Sequence, residues 1–499
     1  MTQNTTPGRR IPAVAVAAAK HPKWDHAIPP QLRPLVRAFL LGYGSSVAPR
    51  VLTLLLQRLS RRYKRPENTT ARQPLQPFFP ALFHILRTGF DPQRFPVFCA
   101  ALVGGSTLLQ VPLRRIIERV LRTLDESAKL RLSRWLATFV AAWCSLSLLQ
   151  SKPSPLFTEI VEEPSDDPSS KNRQRTIKWA GRTLDLTLFA VTRAVDVIVG
   201  ELWSQRRGRR MAAGKWTKTE KIIQNSADPA LFALSCTAIM WAWFYTPTLL
   251  PPGYNKWIGA AAAVDVRLIE ALRRFRTGEM QYGKDNGQAP LIQSMCADYK
   301  WPMAWGDPAA SVPFPCEVVH MGVGPSCEHH ALSRFYHSWR WSLATYLPLN
   351  LLMVARNPSF KSLKRALISA SRSSAFLGGF IAFFYYGVCL ARSRAGPLIV
   401  GKDRAARQRI DSGICVGTGC VLCGWSILLE HPGRRKDMAL FVAPRALATF
   451  LPRKYGMDKQ WRENMVFAIS TAVAFTCVME NQSRVRGVLG NVLGSVLKA

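Results

Sequence analysis

Acidic residues are scarce in this chain: 31 Asp and Glu stand against 67 Lys and Arg, leaving a formal charge of +36 on 499 residues. In a soluble protein that imbalance would point to nucleic acid held on a continuous basic face. Such a face is missing, because the basic residues gather in clusters that separate apolar runs, at 58–65, 114–134, 206–221, 392–409 and 434–436. Charges kept at headgroup level between hydrophobic segments produce this punctuation. Nucleic acid is therefore excluded as a partner and membrane lipid takes its place, with other membrane proteins as further candidates.

Other absences narrow the function. There is no Gly-x-Ser-x-Gly elbow, no phosphate-binding glycine loop ending in Lys-Ser/Thr and no His-Glu-x-x-His helix. The expectation is a non-enzymatic protein with no catalytic residue and no cofactor. A signal-peptide pattern is lacking too, since Pro12 and the alanine-rich run after it lead to Lys20 and Lys23 without a cleavage context. The stretch through Lys23 reads as a disordered basic tail, with a mitochondrial presequence as the alternative. Leu497-Lys498-Ala499 is no peroxisomal matrix address. Nor is there a disulfide framework: eight of the eleven cysteines (Cys99, Cys144, Cys236, Cys389, Cys415, Cys420, Cys423 and Cys477) lie in apolar runs, where a thiol behaves as a small hydrophobe.

What the chain does have is hydrophobic length, 48% of its residues. Apolar runs occupy 35–56, 97–113, 136–149, 184–203 and 229–250, and then 339–354, 375–391, 413–429, 438–451 and 465–479. The cleanest is 229–250, uncharged, with Trp241, Trp243, Phe244 and Tyr245 placed as an interfacial belt and Pro251-Pro252-Gly253 as its stop. Gly104-Gly105 marks a helix that approaches a neighbour closely, and 114–134 has the rhythm of an amphipathic helix on a membrane. An acidic loop is expected over 159–167. The fold class that follows is all-α, a multi-pass helical membrane protein with two internally duplicated helical halves. Its boundaries are a basic tail at 1–30, a first membrane repeat at 31–255, a linker at 256–295, a Cys/His-rich connector at 296–334 and a second membrane repeat at 335–499.

The duplication rests on Gly-Arg-x-x-Asp-x-x-Leu-Phe-x-x-x-Arg-Ala, which occurs from Gly181 to Ala194 and again from Gly433 to Ala446. Phe232-Ala233-Leu234-Ser235 and Phe467-Ala468-Ile469-Ser470 follow in the same order. In each copy an Asp stands eight residues before an Arg, so Asp185 and Arg193, like Asp437 and Arg445, share a helix face. A charge within hydrocarbon usually faces a bundle interior or a polar cavity. These four residues form a candidate lipid- or anion-binding set; a snorkelling arginine or a structural ion pair is the competing reading. An odd number of helices per half would make the copies inverted, with a site at their interface.

Cys316, His320, Cys327, His329 and His330 are the candidate metal or disulfide residues. Thiolate and imidazole at short spacings suit zinc, the two thiols could instead pair, and a structured lid with neither remains open, because the spacing is not that of a standard finger. Cys420-Val-Leu-Cys423 reads as helix packing, and Gly413-x-x-x-Gly417 and Gly490-x-x-x-Gly494 as close helix approach.

From Cys316 to Leu352 the chain resembles the Cys-rich region of the transmembrane protein 135 family. The shared features are two cysteines with ten residues between them, His320 in that interval, the closing Pro325-Ser326-Cys327, and a helix ending in Tyr346-Leu347-Pro348-Leu349. The segment from Ile469 to Glu480 is similar to that family's last helix. This chain departs in its long first half and in having no second His between His320 and Pro325. The resemblance implies a multi-pass protein of the peroxisomal membrane, with the mitochondrial membrane as alternative, tied to lipid homeostasis and organelle dynamics and without a settled enzymatic activity. A more distant similarity is to the inner-mitochondrial translocase and peroxisomal four-helix proteins, whose bundles pack through glycines.

Overall fold

The computed structural model describes residues 27–63, 77–163, 173–355 and 358–497. The basic tail expected over 1–30 lies almost wholly outside them. The chain is an all-α, multi-pass membrane protein. Seven of its helical stretches are long and apolar enough to cross a bilayer, at 33–58, 95–120, 126–150, 218–245, 360–399, 404–429 and 457–480. Residues 27–152 with 492–497 form one compact unit and 153–491 the other.

The first unit holds α1 (Arg33–Tyr63), α2 (Phe78–Thr88), α3 (Phe95–Leu108), α4 (Gln110–Val120) and α5 (Glu126–Gln150). Here α3 packs against both α1 and α5. Its two glycines make that possible. A Cβ on Gly104 would meet the Leu35 side chain at 2.6 Å, and one on Gly105 would meet the Ala141 Cβ at 2.8 Å. The 114–134 stretch is not one amphipathic helix. It divides between the end of α4 and the start of α5, because Asp125 accepts a hydrogen bond from the Ser127 N–H and so begins a new helix there.

The second unit opens with a hairpin of β1 (Thr158–Glu163) and β2 (Arg173–Lys178), which are antiparallel and set Glu163 opposite Arg173. These are the only strands among the described residues. The expected acidic loop is thus partly strand, and 164–172 lies outside the described residues. The helices follow as α6 (Leu184–Ala212), α7 (Lys218–Tyr245), α8 (Pro252–Ala262), α9 (Val266–Thr277), α10 (Ala289–Tyr299), α11 (Cys316–Val319), α12 (Cys327–Ala355) and α13 (Phe360–Cys389). After these come α14 (Ala395–Ile399), α15 (Arg404–Arg409), α16 (Cys415–Cys423), α17 (Pro432–Ala448) and α18 (Gln460–Glu480), and then α19 (Val488–Leu497), of which only 488–491 belong to this unit. The segment expected as a linker over 256–295 is mostly helix. With α11 it forms a cap whose own core includes Phe275, Met280, Ile292, Met295 and Phe314.

Sequence dictates where α7 starts and stops. Thr217 and Glu220 close a capping box at its first turn. It ends at Tyr245 rather than Leu250, because Pro247 keeps Thr246 out of the helical region, at φ −137° and ψ 57°.

Contacts along the helices fix their relative directions. α12 and α13 run antiparallel, with His330 against Tyr385 and Trp339 donating to the Ser371 carbonyl at 3.3 Å. α13 and α16 do the same: Gly387 meets Gly419 near the cap, and Ser373 donates to Glu430 at 2.8 Å far from it. α7 opposes α16, with Ala233 at Gly424 and Trp241 at Gly417. α6 runs parallel to α18, from the Thr183–Glu463 hydrogen bond to the Asp196–Arg486 ion pair. The main apolar core lies where α7, α13, α16 and α17 meet.

Three of the ten expected apolar runs, in α6, α12 and α17, are not among the seven spanning stretches, yet these helices run alongside those that are. α6 carries Asp185, Arg193, Asp196 and Glu201, α12 begins with a polar, charged turn and contains Pro348, and α17 has only 17 residues.

Candidate functional site

The Cys/His connector folds onto itself. Pro315 precedes α11, which starts at Cys316, and His320 follows its last turn. The chain then reverses through Met321, Gly322 and Gly324, with φ of 53°, 83° and 105°. That left-handed turn is the physical reason for two glycines here, and it returns Cys327 to the start of α12 beside the other two ligating groups. The Cys316 and Cys327 Sγ atoms and a His320 ring nitrogen lie within 4.8 Å of one another.

His320 is buried, and its Nδ1 sits 2.6 Å from the Gly324 carbonyl. A carbonyl only accepts, so Nδ1 carries the proton and Nε2 is left as an acceptor. Burial lowers the pKa of this imidazole, and burial likewise pushes the Cys327 thiol up. His330 stacks on His320 with ring centroids 4.5 Å apart. Burial, then His320 and Arg334, push the His330 imidazole down to about 3, so it is neutral at physiological pH. His329 is exposed and outside the cluster; its N–H is bound by Ser326 Oγ at 3.2 Å. Cys296 is sealed in the cap core.

The Asp/Arg set divides differently. Asp185 is exposed and takes a bidentate pair of bonds from Arg453, at 2.8 and 3.1 Å. Arg193 is buried in the field of Asp196, Asp437 and Arg486, and its Nη1 donates to the Arg486 carbonyl at 3.4 Å. Asp437 accepts from the Val488 N–H at 3.1 Å, at the start of α19. Arg445 stands over the Phe441 and Tyr254 rings, 4.1 and 5.5 Å from their centroids. Its Nη1 donates to the Phe441 carbonyl at 2.7 Å, and no carboxylate pairs with it among the described residues. The structure therefore brings Arg193 near Asp437, whereas Asp185 and Arg445 go to other partners.

Beside Arg445 lies a cavity of about 510 Å³, bounded by α7, α8, α13 and α17. Its wall is apolar, with Met240, Ile258, Phe380 and Phe441 contributing, and Asp437 and Tyr346 supply polar atoms. Tyr254, on which Arg445 is stacked, also lines it.

Two features escape the sequence. Cys389, the last residue of α13, places its Sγ 3.3 Å from the His320 Nε2. Just beyond it a π-helical segment at Leu390–Arg394 turns Arg392 inward, and a second at Ile410–Ile414 does the same for Asp411. Arg392 bonds Asp411 in bidentate fashion at 2.7 and 2.9 Å, and the Tyr282 hydroxyl donates to Asp411 at 2.5 Å. A π segment adds one residue to the helical ladder and commonly marks such re-aimed side chains. No family model, curated protein or solved structure matches this chain.

Proposed function

We propose that this is a non-enzymatic organelle-membrane protein that holds a lipid in the apolar cavity of its second unit, with an anionic headgroup at Arg445. The observation that carries the reading is the conjunction of that cavity with one guanidinium left without a carboxylate. The volume falls within the range of ligand pockets, about 300–1,000 Å³. An unpaired cation beside hydrocarbon costs free energy unless an anion meets it. The peroxisomal membrane, with the mitochondrial membrane as alternative, enters through the resemblance to the transmembrane protein 135 family.

The internal duplication belongs to the same proposal. α6–α7 and α17–α18 carry the matching residues in the same order. The contact of α6 with α18 is answered by that of α7 with α17, and α6 touches α17 between them. Leu184 at the start of α6 packs on Ala448 at the end of α17, and Arg193 further along α6 lies near Asp437 at the start of α17, so the two run in opposite directions and the copies would be inverted, which favours a ligand site at their interface. The likeness ends at the charges. Arg193 has Asp437 nearby, but the corresponding Asp185 is drawn off by Arg453, which leaves Arg445 available.

The test is lipid analysis of the full chain purified in nanodiscs. Met438→Trp and Val442→Trp fill the cavity and are expected to reduce co-purified lipid about tenfold, as for one lost anchor pocket of roughly 1.4 kcal/mol. Arg445→Ala is expected to keep lipid but lose the preference for anionic headgroups. Equal lipid in wild type and filled variants overturns the reading, and crosslinking that yields protein adducts along α7 and α17 without lipid identifies a translocase-like scaffold instead.

A further inference from the structure

We propose that Cys316, His320, Cys327 and Cys389 form a four-ligand site for zinc that ties the cap to the end of the α13 membrane helix. Three of the ligand atoms already lie within 4.8 Å of one another, and Cys389 adds the fourth from a helix remote in sequence, 3.3 Å from His320 Nε2. Zinc–sulfur and zinc–nitrogen bonds of about 2.3 and 2.0 Å in a tetrahedron give ligand–ligand edges of roughly 3.5–3.8 Å. The His320–Cys389 separation of 3.3 Å is already close to such an edge, and the Cys316, His320 and Cys327 atoms close in from within 4.8 Å of one another.

The surroundings are those of a metal site. The Nδ1–H of His320 is held by the Gly324 carbonyl, which fixes the tautomer and turns the Nε2 lone pair toward the thiols. Ser393 Oγ lies 3.2 Å from the Cys316 Sγ, placed to donate to a thiolate. His330 packs flat on His320 and fixes its ring plane. Zinc with three thiolates and a neutral imidazole carries one net negative charge, and Arg334, which has no carboxylate partner among the described residues, lies in the electrostatic field of His320. On binding, three thiol protons pass to solvent and three zinc–sulfur bonds form, with no change of oxidation state. Cys316, Cys327 and Cys389 are free thiols, so none of the three is held in a disulfide in this structure.

This site is independent of the lipid cavity. The test is metal analysis of the full chain purified in mild detergent with zinc present and no chelator. About one zinc per chain is expected, falling below about a tenth in Cys389→Ser and Cys327→Ser and remaining full in His329→Ala and Cys296→Ser. Because a ligand variant can fail to fold, wild-type protein loaded with cobalt(II) gives a second readout: thiolate-to-cobalt charge transfer with tetrahedral d–d bands. Absence of stoichiometric zinc, full zinc in Cys389→Ser, a cobalt spectrum without thiolate character, or a 316–327 or 327–389 disulfide in the native protein each overturns the proposal.

Discussion

Arg392 and Asp411 carry opposite charges into the interior, 2 to 6% exposed, and satisfy each other there. Removing one partner of such a pair leaves the other charged and buried, at roughly 3–5 kcal/mol. Asp411→Ala should therefore lower the melting temperature steeply in detergent, whereas an Arg392→Met/Asp411→Leu double variant should recover most of the loss. A double variant as unstable as the single would show that the charges themselves are needed. Nothing in the sequence joins these two residues, which stand 19 apart, beyond any one-turn spacing. Arg392 reads there as one more member of a basic cluster. Cys389 is hidden for a related reason: in an apolar run a thiol looks like packing, and only the fold sets it against His320. The local group of Cys316, His320 and Cys327 was legible because one tight turn gathers it.

Between elements, α13 and α16 approach backbone to backbone where they cross. A Cβ on Gly387 would stand 2.8 Å from the Gly419 Cα, backbone that cannot move aside. Gly387→Val should cost about 1–3 kcal/mol through forced separation of the helices, seen as a lower melting temperature. By contrast, Gly417→Ala meets only the Trp241 ring at 3.5 Å, an ordinary contact, and should be nearly neutral. The Gly413-x-x-x-Gly417 spacing thus marked the right helix but not the crossing point, since a sequence spacing carries no information about the partner. Gly104-Gly105 was read more fully, because both neighbours of α3 press on that one point. Helix existence was legible where a long apolar run marks it, and not over 256–295, where short helices form the cap without one. Helix ends were not legible: the sequence reading runs through the Asp125 cap and past Pro247, because an apolar or amphipathic rhythm continues across both.

In the second unit as a whole, the helix directions alternate, so its connectors sort to two ends. The cap, the 400–403 turn and the 449–459 loop share one end; the α6–α7 turn and the start of α13 share the other. Cysteines introduced at Asp285 and Lys402, both exposed, should react with a membrane-impermeant maleimide from one side of sealed vesicles, and those at Lys215 and Lys361 from the other. Labelling of all four from the same side would contradict the alternation.

The opposed directions of α6 and α17 bear on how the chain enters a bilayer. Each starts with the same Gly-Arg-x-x-Asp sequence, yet one starts at the cap end and the other at the far end. Flanking positive charge normally chooses which end of a helix stays behind during insertion. The far ends agree all the same: α6 ends in Arg206, Arg207, Arg209 and Arg210 and α17 begins with Arg434, Arg435 and Lys436, so the charge rule favours keeping both far ends on one side.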